Sequence, residues 1–210
     1  MGELKLKQSQ LDMLQTQINP HFLYNTLDTI YWMAQMGDTQ NVSTMVSNMS
    51  KMMRLTLSPK TNDKIPLAQE LEHLSCYITI QQIRYGNKVQ FFQTCPENLL
   101  DEYVLCFLLQ PLVENALVHG LKNSLHGFVR VTVYEENGNI IYEVANTGEL
   151  ICPDEISAIL ADTTDSQKGL ALKNIRERLR LKYGEAYPME YYVEKECSVF
   201  KITQPKESTI

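Results

Sequence analysis

The sequence predicts an α+β protein with two parts: a helical domain over residues 1–86, and a domain over residues 87–210 with strands on one face and helices on the other. Apolar residues recur every three or four positions as far as Gly86, which is the period of an amphipathic helix. After Gly86 the chain turns to short runs rich in β-branched and aromatic residues. Asn137-Gly138 separates two of these runs, which is a strong hairpin signal.

The first predicted helix runs from residue 4 to about residue 36. Leu4, Leu11 and Ile18 are spaced seven residues apart, which gives an apolar stripe narrow enough for a coiled-coil seam. We therefore expect this helix to pair with another helix.

Two further helices complete the N-terminal part. The second covers about residues 39–57, forms a hairpin with the first, and ends at Ser58-Pro59 because proline disfavours a helical conformation in the residue before it. The third runs from Pro66 towards Gly86, since proline is tolerated in the first helical turn.

The C-terminal part is predicted to mix strands and helices. Helices are expected at about residues 102–121, 154–161 and 170–183, and Gly184 closes the last of them. The predicted strands are residues 89–93, 127–134, 140–146, 190–193 and 198–202.

Composition excludes several classes of function. The formal net charge of −6 and the lack of a dense Lys/Arg run argue against a nucleic-acid partner. The longest apolar run, around residues 104–109, is too short to cross a bilayer. The five cysteines are scattered without a C-x-x-C motif and the four histidines form no H-x-x-x-H pair, so neither a zinc site nor a disulfide framework is indicated.

The heptapeptide NPHFLYN interrupts the first predicted helix with Pro20. Proline removes a backbone hydrogen bond and its ring crowds the preceding turn, so it bends a helix. On the face that continues the apolar stripe, the residues become His21, Asn25 and Asp28, which suits contact with water or a ligand. One interpretation therefore places His21 prominently on a bent helix. The other makes Pro20 the first residue of a new helix, with Asn19 as its cap and His21 as a boundary residue.

The segment LQPLVENALVHG gathers a carboxylate, an amide and an imidazole near one edge of a short helix. These side chains belong to Glu114, Asn115 and His119, and Gly120 ends the helix. An amide oxygen can complete the oxygen shell that Mg²⁺ keeps when it carries the phosphates of a nucleotide. The alternative is a helix whose polar side simply faces solvent.

Two glycine-bearing turns could approach phosphate groups. VANTG closes a predicted strand at Gly148, and KGLALKN, residues 168–174, opens a predicted helix. Glycine permits close backbone approach, and a helix N-terminus attracts phosphate. For either turn alone, a purely local reason for the glycine remains the alternative.

The order of these four segments resembles that of the sensor histidine kinases, and more narrowly the branch whose acceptor stretch reads N-P-H-F-L-Y-N-T-L. The match is close at residues 18–30, strong at 109–116 and 174–179, and extends to the connector ITIQQIRYG at 78–86, so the resemblance covers essentially the whole chain. It implies a dimerising helical hairpin that presents the histidine, followed by an α/β sandwich ATP-binding domain of the gyrase-kinase (GHKL) type.

The resemblance also implies a role for each matching residue. His21 is the expected phospho-acceptor, Glu114 is the acidic neighbour that helps to polarise the reaction, and Asn115 is the ligand of Mg²⁺. Asn146 stands where the family has an aspartate that accepts a hydrogen bond from the adenine amino group, and an asparagine carbonyl keeps that acceptor. The other expected nucleotide-binding residues are His119, Gly120, Gly148, Gly169, Leu170 and Asn174.

The implied activity is that of an ATP:protein-histidine phosphotransferase. It would use Mg-ATP and pass the phosphoryl group to an aspartate on a response regulator. A neutral imidazole nitrogen is a competent nucleophile near neutral pH, which fits this chemistry. We also expect a homodimer formed through the helices of residues 1–58, and a cytoplasmic portion of a membrane-anchored bacterial protein whose sensor module was removed from the N-terminal side.

Three residues depart from the family pattern. Leu150 and Ala171 replace second glycines of the two turns, and Val118 replaces a lysine. The loss of the two glycines stiffens the turns and the loss of the lysine removes a positive charge, so we expect a lower affinity for nucleotide. Residues 149–168 are expected to form a lid over the nucleotide. The sequence therefore leaves open a catalytically weak or inactive scaffold that binds a regulator or a nucleotide. A third interpretation, an ATPase or chaperone with the same nucleotide domain, predicts phosphate release that does not depend on His21.

Overall fold

The computed structural model describes residues 20–57, 63–121, 126–160 and 169–206, which form two compact units. The first unit contains the described residues up to Leu57 together with Ser75–Arg84, and the second contains the other described residues. Because Leu67–Tyr85 is a single helix, the division falls inside it. The domain boundary after residue 86 stays a prediction.

The first unit is helical. Helix α1 spans Pro20–Gln35 and helix α2 spans Thr39–Leu57, and the two pack as the predicted hairpin. The aromatic rings of Phe22 and Tyr77 lie 5.2 Å apart, which joins α1 to the part of the third helix that belongs to this unit. Residues 4–19 of the first predicted helix lie outside the described residues, so the coiled-coil seam stays a prediction. For the same reason, both interpretations of Pro20 remain open.

The second unit is built on a mixed sheet. A small antiparallel pair, β1 (Lys64–Pro66) and β3 (Tyr103–Leu105), lies outside the main sheet. The strands of the five-stranded sheet are β2 (Val89–Thr94), β4 (Gly127–Glu136), β5 (Asn139–Asn146), β6 (Met189–Glu194) and β7 (Cys197–Pro205). Their order is β2-β4-β5-β7-β6, in which β2 runs parallel to β4 and all other neighbours are antiparallel.

Helices pack with the sheet to form the core of the second unit. They are α3 (Leu67–Tyr85, up to Leu74), α4 (Leu109–Asn115), α5 (Pro153–Leu160) and α6 (Leu170–Tyr183). Alternate residues of β4 are buried, as expected for a strand with one face on a core, and α6 buries residues at helical spacing. These buried side chains are Val129, Val131, Val133, Leu172, Ile175 and Leu179. The predicted α+β fold class is confirmed.

The hairpin predicted at Asn137-Gly138 is confirmed and connects β4 to β5. Asn137 and Gly138 have φ angles of 52° and 74°, and two consecutive positive φ values define a type I′ turn. This turn has the twist of its flanking strands, so a two-residue signal sets the register of both strands.

The predicted helix at residues 102–121 is wrong in its first part. Residues 103–105 form β3, because Lys64 pairs with Leu105 in the small sheet. Phe107 then has a φ of 58°, and the helix begins only at Leu109. Both three-residue strands are too short to show the alternation by which a strand is recognised in a sequence.

None of the helices that the structure describes combines the length and hydrophobicity that a membrane span needs.

Candidate functional site

An open pocket of the second unit lies where α4 ends beside β5 and β7. It encloses about 240 Å³, including space open to solvent. Its lining residues are Asn115, Ala116, Gly120, Asn146, Glu149, Ile151, Ser198 and Phe200. Three residues singled out from the sequence, Asn115, Gly120 and Asn146, therefore lie together in one place.

Asn115 and Gly120 owe their positions to an unusual continuation of α4. The helix ends at Asn115 and the chain continues as a π-helical turn, Ala116–Gly120, a rare conformation that recurs at functional sites. A Cβ atom on Gly120 would lie 2.0 Å from Nδ2 of Asn146. The absent side chain is thus what allows the π-helical turn to approach the end of β5.

Asn146 is the last residue of β5 and is buried. Its Nδ2 donates to the carbonyl oxygen of Thr147 at 3.0 Å, which leaves Oδ1 as the acceptor of the side chain. Pairing of β5 with β7 places Ser198 opposite Asn146. The hydroxyl of Tyr191 lies 3.0 Å from Oγ of Ser198 and donates to the carbonyl oxygen of Ile151, which fixes this side of the pocket.

The first glycine turn directly follows Asn146. Gly148 has a φ of 113°, a conformation that favours glycine, and the backbone N–H of Glu149 donates to the carbonyl oxygen of Gly120 at 2.8 Å. The turn is therefore tied to the π-helical turn by a backbone hydrogen bond. Because Asn146 and Glu149 both line the pocket, Gly148 lies between two lining residues.

The second glycine turn opens α6, and none of its described residues, 169–174, is among those that line the pocket. Gly169 has a φ of 78° and precedes the helix, Leu170 is 56% exposed, and Asn174 is exposed. A Cβ atom on Gly169 would lie 2.3 Å from Cγ2 of Ile159 in α5. The role of this turn in holding nucleotide stays a prediction.

Replacing Gly169 and Gly138 separately with alanine distinguishes the cost of a strained backbone from the cost of crowding a neighbouring side chain. The two glycines have nearly equal φ values, 78° and 74°, but a Cβ atom on Gly138 would meet nothing within 4 Å. We expect Gly138→Ala to lower the free energy of unfolding by about 1 kcal/mol. Gly169→Ala should lower it by roughly 1–3 kcal/mol more, because Ile159 must move. Urea denaturation measures both losses, and equal losses would contradict the crowding at Gly169.

The other predicted site residues are less closely defined. Glu114 is half-buried in α4, one residue before Asn115. His119 belongs to the π-helical turn, but its side chain lies outside what the structure describes. Glu114 is not among the residues that line the pocket.

His21 belongs to the first unit and is exposed near the start of α1. Nδ2 of Asn25, one helical turn later, lies 3.1 Å from Nε2 and 3.3 Å from Nδ1 of the imidazole. The amide can hydrogen-bond one ring nitrogen at a time, and in a neutral ring the unprotonated nitrogen carries the lone pair that a nucleophile needs. Asn25 thus orients the predicted acceptor ring.

Three residues that line the pocket were not predicted from the sequence, Ile151, Ser198 and Phe200, and neither was Tyr191, which supports them through its hydrogen bond with Ser198. They come from β6, β7 and the loop after β5, and only the register between β5 and β7 brings them to Asn146. The sequence carries no local signal of that register.

The donor set of the pocket fits a magnesium-bound nucleotide. Within the described ranges, no three His, Cys, Asp or Glu side chains cluster in a way that could hold a metal by themselves. Mg²⁺ is usually held by one or two protein oxygens together with water and substrate phosphates. The side-chain oxygen of Asn115 can supply one such ligand, and the missing side chain of Gly120 makes room for Asn146 in the pocket wall.

The fold is similar to that of histidine kinase catalytic domains. The catalytic domain of histidine kinase ThkA matches with a TM-score of 0.53 at 18% identity, over 68% of this chain and 95% of that domain. ThkA in complex with the response regulator protein TrrA matches with a TM-score of 0.54 at 15% identity, over 97% and 57% of the two chains. Full-length ShkA in complex with AMPPNP matches with a TM-score of 0.51 at 17% identity, over 85% and 39%.

Sequence comparisons define the family. The sequence profile of the family described as histidine kinase matches residues 9–89. Sensor histidine kinase YesM of Bacillus subtilis is 31% identical over 195 residues, 92% of this chain and 33% of the relative. Sensor histidine kinase BtsS of Escherichia coli K12 is 30% identical over 183 residues, 87% and 30% of the two chains. The chain belongs to the sensor histidine kinase family, and it spans about a third of the length of these relatives.

Proposed function

We propose that this chain is the kinase portion of a sensor histidine kinase. Its domain of residues 87–210 binds Mg-ATP, its domain of residues 1–86 presents His21, and the γ-phosphoryl group passes from ATP to His21 and then to an aspartate of a response regulator. The observation that carries the proposal is the meeting of Asn115, Gly120 and Asn146 in one pocket.

The pocket and the adjoining turn at Gly148 offer contacts for the adenine, the phosphates and the metal ion of Mg-ATP. Oδ1 of Asn146 accepts a hydrogen bond from the adenine amino group, since Nδ2 already donates to Thr147. Gly120 makes room for Asn146 at this position, Gly148 lets the backbone approach the ligand, and Asn115 would provide an oxygen to Mg²⁺. A magnesium ion held there by Asn115 would supply positive charge to neutralise the phosphates during transfer. The ShkA neighbour is solved in complex with AMPPNP, which supports a nucleotide in this fold.

Transfer requires a nucleophilic ring nitrogen of His21 in line with the γ-phosphorus. A nitrogen–phosphorus bond forms, the bond from phosphorus to the β–γ bridging oxygen breaks, and ADP leaves. The attacking nitrogen of the neutral ring carries a lone pair and no proton, so the proton on the other ring nitrogen passes to a base as the new bond forms. Glu114 is the proposed participant in that role. Asn25 holds the ring, so the rotation that the imidazole must lose before attack is already restricted.

Exposed apolar residues on α1 support a homodimer formed through the helices of residues 1–58. Tyr24, Leu27 and Tyr31 are spaced three and four apart and are more than half exposed, and Trp32 is 63% exposed. A helical face of this kind is typical of a surface that another helix covers. A response regulator as partner is supported by the ThkA neighbour, which is solved in complex with one. We further propose that the full protein is anchored in a membrane, with this portion in the cytoplasm.

Incubation with γ-labelled ATP and Mg²⁺ tests the proposed function. We expect the folded chain to incorporate label that is lost in acid and stable in base, as a phosphorylated imidazole nitrogen is. ATP labelled at the α-phosphate is the matched control and should leave no label. Folded protein that takes up no γ-label would contradict kinase activity and favour the nonenzymatic scaffold.

A further inference from the structure

Glu70 is a fully buried acid that the proposed function does not use. It lies in the part of α3 that belongs to the second unit and is 2% exposed. Its carboxylate accepts three backbone hydrogen bonds: Oε2 from Phe107 at 2.6 Å, and Oε1 from Leu108 at 2.9 Å and Leu109 at 3.0 Å. Burial raises the pKa of Glu70, whereas these three N–H groups and the charge of Arg178 lower it.

These hydrogen bonds hold the start of the helix that ends at Asn115. Leu108 is the residue before α4 and its own side chain makes no capping bond, so Glu70 supplies the acceptor that the first N–H groups of the helix need. Because α4 has only seven residues, a shift at Leu109 is passed directly to Asn115.

A second side chain holds the same peptide group from the opposite side. The peptide group between Cys106 and Phe107 is hydrogen-bonded at both ends. Its carbonyl oxygen, on Cys106, accepts from Nη2 of Arg178 in α6 at 2.7 Å, and its N–H, on Phe107, donates to Glu70. Phe107 has a φ of 58°, a conformation that bulky residues rarely adopt unless their surroundings enforce it. Its ring packs against His73 of α3, with ring centroids 4.6 Å apart.

We propose that Glu70 and Arg178 are positioning residues for Asn115. They hydrogen-bond the 106–107 peptide group at its two ends and thereby hold in place the helix that presents the magnesium ligand. This inference rests on the proposed function, because it assigns Asn115 to Mg²⁺. It adds two residues that touch neither nucleotide nor metal and act on the metal site through α4.

Titration calorimetry of the whole chain with AMPPNP, with Mg²⁺ and separately with EDTA, tests the inference. In Glu70→Gln the amide nitrogen has no lone pair, so at least one backbone N–H loses its acceptor. We expect the gain in affinity that Mg²⁺ provides to shrink by about tenfold, the size typical of residues that orient a metal ligand, with little change in EDTA. Glu72→Gln, an exposed carboxylate two residues along the same helix, is the matched control and should behave as wild type.

The outcomes separate the inference from the proposed function. Wild-type chain that binds no AMPPNP overturns the proposed function, and this inference with it. If wild type binds but Glu70→Gln keeps the full magnesium effect, or loses affinity equally in EDTA, only the inference is overturned. Should Glu70→Gln fail to fold, Arg178→Gln replaces it, because it frees the Cys106 carbonyl and should show the same selective loss of the magnesium effect.

Discussion

Replacing His21 with glutamine is expected to reduce phosphoryl incorporation from γ-labelled ATP to background. Glutamine is polar and of similar size, but its amide nitrogen has no lone pair with which to attack phosphorus. Nucleotide binding should remain, because the proposed pocket belongs to the other unit. Counting acid-labile label at saturating Mg-ATP, alongside a calorimetric titration with AMPPNP, measures both effects.

The matched control for this experiment is His126→Gln, a histidine that is also exposed. It should incorporate label as wild type does. Label that persists at the wild-type level in His21→Gln would reject His21 as the acceptor, whatever the affinity for nucleotide. Loss of label in both variants would show that the assay reports general damage rather than the acceptor.

Replacing Asn115 with alanine is expected to lower the rate of autophosphorylation by about 100-fold. The change removes the amide oxygen proposed to complete the shell of Mg²⁺ while keeping a residue that favours a helix. The loss should be larger at low Mg²⁺ concentration and should be partly recovered as the concentration rises. Initial rates of label uptake across a magnesium titration measure this dependence.

Asn87→Ala, at an exposed asparagine between α3 and β2, is the control for a general effect of losing an amide. It should leave the rate and its magnesium dependence unchanged. A wild-type rate in Asn115→Ala, or a loss that is the same at every magnesium concentration, would contradict the assignment of Asn115 to the metal.

Local chemistry explains which elements could be predicted from the sequence. The Asn137-Gly138 turn was predictable because both residues tolerate the positive φ that a type I′ turn needs. The end of α6 was predictable for a similar reason, since Gly184 has a φ of 81° and its N–H donates to the carbonyl oxygen of Arg180. In both cases the signal lies within a few residues of the feature.

Contacts that are distant in sequence explain what could not be predicted. The segment before α4 was assigned to a helix, but Leu105 pairs with Lys64, about forty positions earlier, and Phe107 is held by Glu70 and Arg178. Tertiary contacts of this kind override the local preference for a helix. No pattern near Phe107 indicates that its backbone is left-handed.

The residues of the pocket divide in the same way, into those that nearby sequence predicts and those that depend on contacts distant in sequence. Asn115 and Gly120 are five residues apart on one short segment, so their common location was predictable, and the resemblance added Asn146. Glu70 carried a signal that was not used: it lies three residues after Leu67 and four before Leu74, on the buried face of α3. A carboxylate on an apolar helix face requires partners, which in this fold are the N–H groups at the start of α4.

We propose that the second unit holds a magnesium-bound nucleotide between the end of α4 and the end of β5. Titration calorimetry of the wild-type chain with AMPPNP measures this binding. We expect saturable binding of one nucleotide per chain that is stronger with Mg²⁺ than with EDTA and is displaced by ADP. Folded chain that gives no heat and no competition at millimolar nucleotide would contradict it.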